Sequence, residues 1–333
     1  MKALQLTAYG EPRDVLKLVD VPNLDNPAAN EIIIRVEASA IEPTDQYIIA
    51  GIYGELPALP HFLGCTGVGR VVAIGKNVAH VKVGDRTLVP VNGNAWAEYV
   101  KTNATWLRAL PDGNVDQLAM LGMNPLTALL LLTEFAKLER GDWLISTAAN
   151  SAVGRAIIAI AKGRGYRTVN IVRRPELIDE LTALGGDVVL VDGPDLPARI
   201  AAATGQTKFP LALDGVGGAT TQRLLDCLDR YGKLVIWSGM GGEPSPINNV
   251  PIIFNGQSLH GFWIMNWLKV PGNMDRLGVL YDELAPLVAS GAITLPIAAT
   301  FGLEQYVEAL DLASKFRGKV IFHPDPDHSA RAE

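Results

Sequence analysis

From Asp116 onward the sequence alternates short apolar runs with segments of helical spacing, and this alternation constrains the fold more than any other feature. Trp143-Leu144-Ile145-Ser146-Thr147 is a short apolar strand, and helical spacing runs from Ala152 to Lys162 after it. Thr168–Val172, Asp187–Val191, Pro210–Asp214 and Lys233–Trp237 continue the series. Between the second and third strands, Pro175 opens a helix that ends at Leu184, before Gly185-Gly186. A parallel crossover needs a helix, and a strand covered on both faces reads as an unbroken apolar run. The pattern therefore predicts an α/β fold with a doubly wound parallel sheet. The helix-like segment Met274–Ser290 and a final strand Lys319–Phe322 lie beyond the alternation. The tail from Pro324 to Glu333 is polar and reads as mobile.

The first hundred or so residues have another texture. Glu31–Ala38 is rich in β-branched residues, Gly67–Gly75 is a second such run with glycines at its ends, and Val83-Gly84-Asp85-Arg86 turns into Thr87-Leu88-Val89. This predicts a small, irregular, mostly β domain. A chain of 333 residues, 48% hydrophobic and 19% charged, has apolar material for two cores and no compositional sign of disorder. The net charge of −6 has the wrong sign for a phosphate-backbone binder, so nucleic acid is not the expected main partner. Gln117–Thr133 is too short for a bilayer span, and Pro244–Leu268 carries Asn248, Asn249, Asn255, Gln257 and Asn266. Met1–Leu6 shows strand-like alternation without a signal core, so the expectation is a cytoplasmic protein with no membrane partner. Cys65 and Cys227 are the only cysteines, too few for a Cys-rich zinc module or a disulfide framework.

The sharpest local signal is Thr147-Ala148-Ala149-Asn150-Ser151-Ala152-Val153-Gly154-Arg155, directly after a strand and opening a helix. Small residues at Ala149, Ser151 and Gly154 have the spacing of a dinucleotide fingerprint, with one of its three glycines. Such residues let backbone amides approach a pyrophosphate at a helix N-terminus; tight strand–helix packing asks for small residues too. An NAD site wants a carboxylate about 20 residues on, for the ribose 2′-hydroxyl. That point falls at Arg173-Arg174, with Glu176 already inside the next helix. A guanidinium can pair with a 2′-phosphate, which favours NADPH over NADH; the alternative is a solvated Arg pair at a strand end.

Gly84-Asp85-Arg86, Asn124-Pro125-Leu126-Thr127-Ala128 and Asn150-Ser151-Ala152-Val153-Gly154 occur in an order and spacing that resemble the medium-chain dehydrogenase/reductase superfamily, over nearly the full chain. Gly51–Pro60 and Gly261-Phe262-Trp263 resemble its trans-2-enoyl thioester reductase branch, beside the quinone oxidoreductases. The resemblance implies a GroES-like, mostly β catalytic domain from residues 1–117 and 268–333, with a Rossmann NADPH-binding domain, 118–267, inserted between them. It places the nicotinamide end near Asn124 and Thr127, and the pyrophosphate over Asn150, Ser151, Ala152, Val153 and Gly154. Arg173 and Arg174 match 2′-phosphate contacts, and Trp237-Ser238-Gly239-Met240 matches a segment beside the cofactor. Phe262, Trp263 and Ile264 match a segment lining the active site, Lys319 a basic residue near the cofactor, and Tyr53 the catalytic tyrosine. The implied substrates are small molecules: an enoyl thioester on coenzyme A or acyl carrier protein, an enone or a quinone.

Alcohol dehydrogenases of the superfamily hold a catalytic zinc, and here the ligand positions read Glu42-Pro43-Thr44-Asp45 and Gly64-Cys65-Thr66. Glu42, Cys65 and His61 would be an unusual zinc set, so no metal is expected. Without a Lewis acid, Tyr53 would donate a proton or stabilise the carbonyl or enolate; as a turn residue between Gly51 and Gly54 it could equally serve packing. Phe262, Trp263 and Trp267 could line an acyl pocket or a subunit interface, and the resemblance implies a homodimer through the Rossmann domains. Glu42 departs from the Asn usual before this proline, and Thr66 from a usual Glu. A quinone or enone reductase, or a non-catalytic NADPH-binding structural or regulatory protein, are the alternatives.

Overall fold

A computed structural model of the chain describes residues 1–206, 208–315 and 318–324. The polar tail, 325–333, lies outside the described residues. The chain forms two compact units, one of Met1–Leu126 with the chain from Met274 onward, the other of Thr127–Asn273.

In the first unit the ten-residue strand Glu31–Ala40 is the hub, buried at Ile32, Ile33, Ile34, Val36, Ala38 and Ala40. It pairs antiparallel with Gly67–Ile74 and with Tyr99–Asn103, aligning Ile34 with Val100. Its far end pairs with Lys319–Phe322, where Ile321 faces Ala40 and Phe322 faces Ser39. Both ends of the chain therefore share one sheet, which sets Lys319 beside the exit of the hub strand. There the chain enters the helix Pro43–Ile49, with Glu42 at its N-cap. A smaller antiparallel sheet joins Lys2–Leu6 to Leu16–Asp20 and His61–Phe62.

The second unit is a six-stranded sheet, parallel throughout. Its spatial order is Val188–Val191, Arg167–Val172, Trp143–Ser146, Phe209–Asp214, Leu228–Ile236, Ser258–Gly261. In chain order that is 3-2-1-4-5-6, the doubly wound arrangement whose ligand crevice opens where the order reverses, between the first and fourth strands. Ile145, Val169, Leu213 and Leu234 are fully buried between helices, which is why these strands read as unbroken apolar runs. Ala152–Arg164 stops at Gly165, whose φ of 74° is a left-handed cap that a side chain would resist.

Three details differ from the sequence reading. The helix at Pro175 begins with a 3-10 turn, Pro175–Leu177, before Ile178–Leu184. The fifth strand starts at Leu228 and carries an irregularity: register jumps from Phe209↔Leu228 to Leu211↔Lys233, with Tyr231 at φ 62°. The uncharged stretch 244–268 holds the helix Asn249–Asn255, the strand Ser258–Gly261 and most of Ile264–Lys269. Among the described residues no helix is long and apolar enough to cross a membrane.

Candidate active site

The first parallel strand ends at the switch point, and a buried polar knot fixes its exit. Thr147 Oγ1 donates to Asp214 Oδ1 at 2.8 Å and accepts the Gly215 N–H at 2.9 Å. Asp214, fully buried, also accepts from the amides of Val216 and Gly217 and the Thr221 hydroxyl. The ends of the first and fourth strands are thereby tied together. The chain then reverses at Ala148, with φ 50°, and enters the helix with Ser151 as N-cap, its Oγ accepting the Gly154 N–H at 3.1 Å. The first amides of a helix have no partner within it, so Ala152 and Val153 keep amides that the helix itself cannot satisfy. Arg155, overlooked in the sequence, lies buried beneath the turn: Nε donates to the Asn150 carbonyl and a terminal nitrogen to Glu180 at 2.6 Å. Its place after the fingerprint's small residues was the available signal.

Asn150, Ser151, Ala152, Val153 and Gly154 thus form one continuous turn. Arg173 and Arg174 follow the neighbouring strand and are exposed; Arg174 meets Glu176 at 3.6 Å, an ion pair open to solvent. Trp237 lies over Gly215, where an added Cβ would meet its ring at 2.4 Å. Its Nε1 is buried without a hydrogen-bond partner among the described residues. Ser238 is half-buried, Gly239 and Met240 exposed. The Phe262 N–H donates to the Ile236 carbonyl, which brings the last predicted segment beside the Trp237 strand. Phe262 and Ile264 are buried, with Phe262 edge-on to Phe135; Trp263 is half-buried and Thr127 buried. Every cofactor residue the sequence singled out in this unit but Thr127 therefore lies at the carboxyl ends of its strands or just beyond. Helix-start amides and exposed guanidiniums form a donor set that fits a phosphorylated dinucleotide.

Tyr53, Asn124 and Lys319 belong to the first unit. Tyr53 is half-buried in the turn Gly51–Glu55. Asn124 and Lys319 meet at Glu42, which is 2% exposed: Oε1 accepts from Asn124 Nδ2 at 2.7 Å, and Oε2 accepts from the Lys319 ammonium. Beneath them Asp45 accepts the Glu42 and Cys65 amides, each at 2.9 Å. Burial pushes the Asp45 carboxyl up to about 6, against the pull of those donors. Its folded value exceeds the ordinary 3.8, so holding it ionised costs increasing stability as pH rises through about 6. Thr66, also fully buried, donates to the Ala119 carbonyl and ties a strand end to the helix Val115–Ala119.

Family models described as "Alcohol dehydrogenase GroES-like domain" and "Zinc-binding dehydrogenase" match residues 28–123 and 152–278. The chain is 34% identical, over 96% of its length and 94% of the relative's, to a mitochondrial enoyl-acyl-carrier-protein reductase of Caenorhabditis elegans. The chain belongs to the medium-chain dehydrogenase/reductase family. Its two units are that family's GroES-like domain and Rossmann-type parallel sheet. Among solved structures it resembles Escherichia coli quinone oxidoreductase complexed with NADPH (TM-score 0.84, 25% identity, 97% and 100% of the two chains). It equally resembles the Etr1p/NADP/crotonyl-CoA complex (TM-score 0.84, 26% identity, 97% and 99%). The zinc in the second family description does not suit the residues present. Both Glu42 oxygens are engaged, and burial holds the Cys65 thiol well above its ordinary value, away from the thiolate that zinc binds. Among the described residues no three of His, Cys, Asp or Glu stand together to hold a metal ion.

Proposed function

We propose that this member of the family is an NADPH-dependent reductase of activated carbon–carbon double bonds, with trans-2-enoyl thioesters of coenzyme A or acyl carrier protein as substrates. The observation that carries the reading is the end of the second parallel strand. Two exposed guanidiniums stand there, where an unphosphorylated ribose would ask for a carboxylate. Near-full-length similarity to an enoyl-acyl-carrier-protein reductase, and likeness to a structure containing crotonyl-CoA, support the thioester.

In this reading Arg173 and Arg174 bind the 2′-phosphate, and the amides of Ala152 and Val153 receive the pyrophosphate at the helix start. Asn150, Ser151 and Gly154 shape that turn, Trp237–Met240 and Phe262–Ile264 border the coenzyme, Thr127 and Asn124 serve its nicotinamide end, and Lys319 stands behind Asn124 on the Glu42 carboxylate. NADPH supplies, when bound, the hydride that adds to the β-carbon. Tyr53 donates its hydroxyl to the thioester carbonyl oxygen, stabilising the enolate, or passes the proton to the α-carbon. A homodimer and a cytoplasmic location belong to this proposal too, tested by sedimentation and by cell fractionation.

A quinone reductase is the second reading, favoured by the equal structural likeness to quinone oxidoreductase. Initial rates of NADPH oxidation separate the two. The proposal expects turnover with crotonyl-CoA well above that with any simple quinone. Oxidation with quinones alone would favour the second reading, and binding without oxidation would leave a non-catalytic protein.

A further inference from the structure

The Glu42 carboxylate, buried and paired with an ammonium, decides how its neighbours present themselves. A carboxylate in such a pair can only accept hydrogen bonds, and an ammonium can only donate. Glu42 therefore admits one orientation of the Asn124 amide: NH2 toward the carboxylate, as the 2.7 Å bond records, with Oδ1 turned away. Among the described residues nothing donates to Oδ1. Asp45 accepts the Glu42 and Cys65 amides, which anchors the backbone that carries the carboxylate. Lys319, meanwhile, commits its charge to Glu42 with a side chain 12% exposed. An Asn at position 42 would impose neither constraint, since an amide offers both a donor and an acceptor.

We propose that Glu42 is a positioning residue that fixes the Asn124 amide with Oδ1 outward, so that this place offers an acceptor, rather than a free cation, to a hydrogen-bond donor on the nicotinamide half of the coenzyme. The donor is a ribose hydroxyl or a carboxamide N–H. The inference rests on the NADPH reading above and deepens it.

Glutamine at this position has one oxygen for two donors. The ammonium takes that oxygen, the glutamine NH2 then faces Asn124, and the Asn124 amide turns over. Glu42→Gln, Asn124→Leu and the double variant, each checked for a wild-type-like melting transition, are titrated with NADPH. They are also titrated with adenosine 2′,5′-bisphosphate, which lacks the nicotinamide half. Glu42→Gln should weaken NADPH about tenfold, the scale of one hydrogen bond, and leave the bisphosphate within about twofold. Asn124→Leu should do the same, and the double variant should bind no more weakly than either, because one side chain acts through the other. Unchanged NADPH binding, equal weakening of both ligands, or additive losses would overturn the proposal.

If Glu42→Gln fails to fold because Lys319 has lost its partner, Glu42→Gln with Lys319→Met removes both charges. The glutamine oxygen then returns to Asn124, and the ratio of NADPH to bisphosphate affinity should exceed that of Asn124→Leu by about tenfold. A ratio no better than that of Asn124→Leu refutes the idea. A wild-type chain that bound neither ligand would remove the coenzyme reading itself, and this inference with it.

Discussion

Gly154→Ala puts a number on how closely the dinucleotide turn is built. In an ordinary helix the change would gain about 1 kcal/mol from propensity. Here a Cβ at position 154 would lie 2.5 Å from the Ala148 carbonyl oxygen and 2.6 Å from both Cα and O of Ala149. All three are backbone atoms, so no side chain can swing aside. Relief requires the helix to lift by about 1 Å, against a normal carbon contact of roughly 3.5–4.0 Å. Overpacking of this kind costs about 1–3 kcal/mol, towards the upper end when backbone must move. Clash should outweigh propensity, leaving a net loss of about 1–2 kcal/mol. For a unit of roughly 150 residues that lowers Tm by about 2–8 °C. The lift also displaces the Gly154 amide from Ser151 Oγ and re-aims the first helical amides, so NADPH affinity should fall at least about tenfold. Scanning calorimetry and a fluorescence titration with NADPH measure both. A variant that melts no lower than wild type and binds NADPH as well would refute the close approach of helix and strand.

Other consequences are equally direct. Replacing Arg173 and Arg174 together by Ala should raise the Kd for NADPH about 10–100-fold and leave that for NADH within about twofold, because only the 2′-phosphate is lost; equal losses for both would disprove the assignment. Tyr53→Phe should lower turnover at least about tenfold with little change in NADPH affinity, and normal turnover would remove Tyr53 from the chemistry. For Glu37, burial raises the carboxyl, but Arg86 at 2.6 Å and Arg70 at 3.1 Å outweigh it and bring it below the ordinary 4.5. A depressed folded value contributes stability above pH 4.5 that is lost as pH falls through the folded one. Glu37→Gln should therefore be less stable than wild type near neutrality by about 2 kcal/mol, the scale of a hydrogen bond to a charged group. The gap should narrow in acid, and urea unfolding that gave the same gap at pH 3 and pH 7 would contradict this.

The parallel sheet was legible because its strands are covered on both faces, so Leu211–Leu213 and Leu144–Ile145 could only be apolar. One helix end was legible where the backbone needs a left-handed residue, at Gly185. The bulge before Lys233 was not. Asp229-Arg230-Tyr231-Gly232 has no strand pattern and falls in the register jump between the Phe209↔Leu228 and Leu211↔Lys233 pairs. The turn into the helix was legible because Ala149, Ser151 and Gly154 fall at fingerprint spacing just after a strand, whereas Arg155 beneath it became visible through its bonds to Asn150 and Glu180. The Glu42 cluster was half legible. Its carboxylate stood out as a departure, yet its partners lie 82 and 277 positions away, and pairing of the last strand with the hub brings Lys319 alongside.

Coenzyme deuterated on the transferable position of the nicotinamide, given to the protein with crotonyl-CoA, tests the central claim most directly. The account predicts butyryl-CoA carrying one deuterium on its β-carbon, seen by mass spectrometry and NMR. Unreduced crotonyl-CoA, with deuterated coenzyme consumed only when a quinone is added, would contradict it.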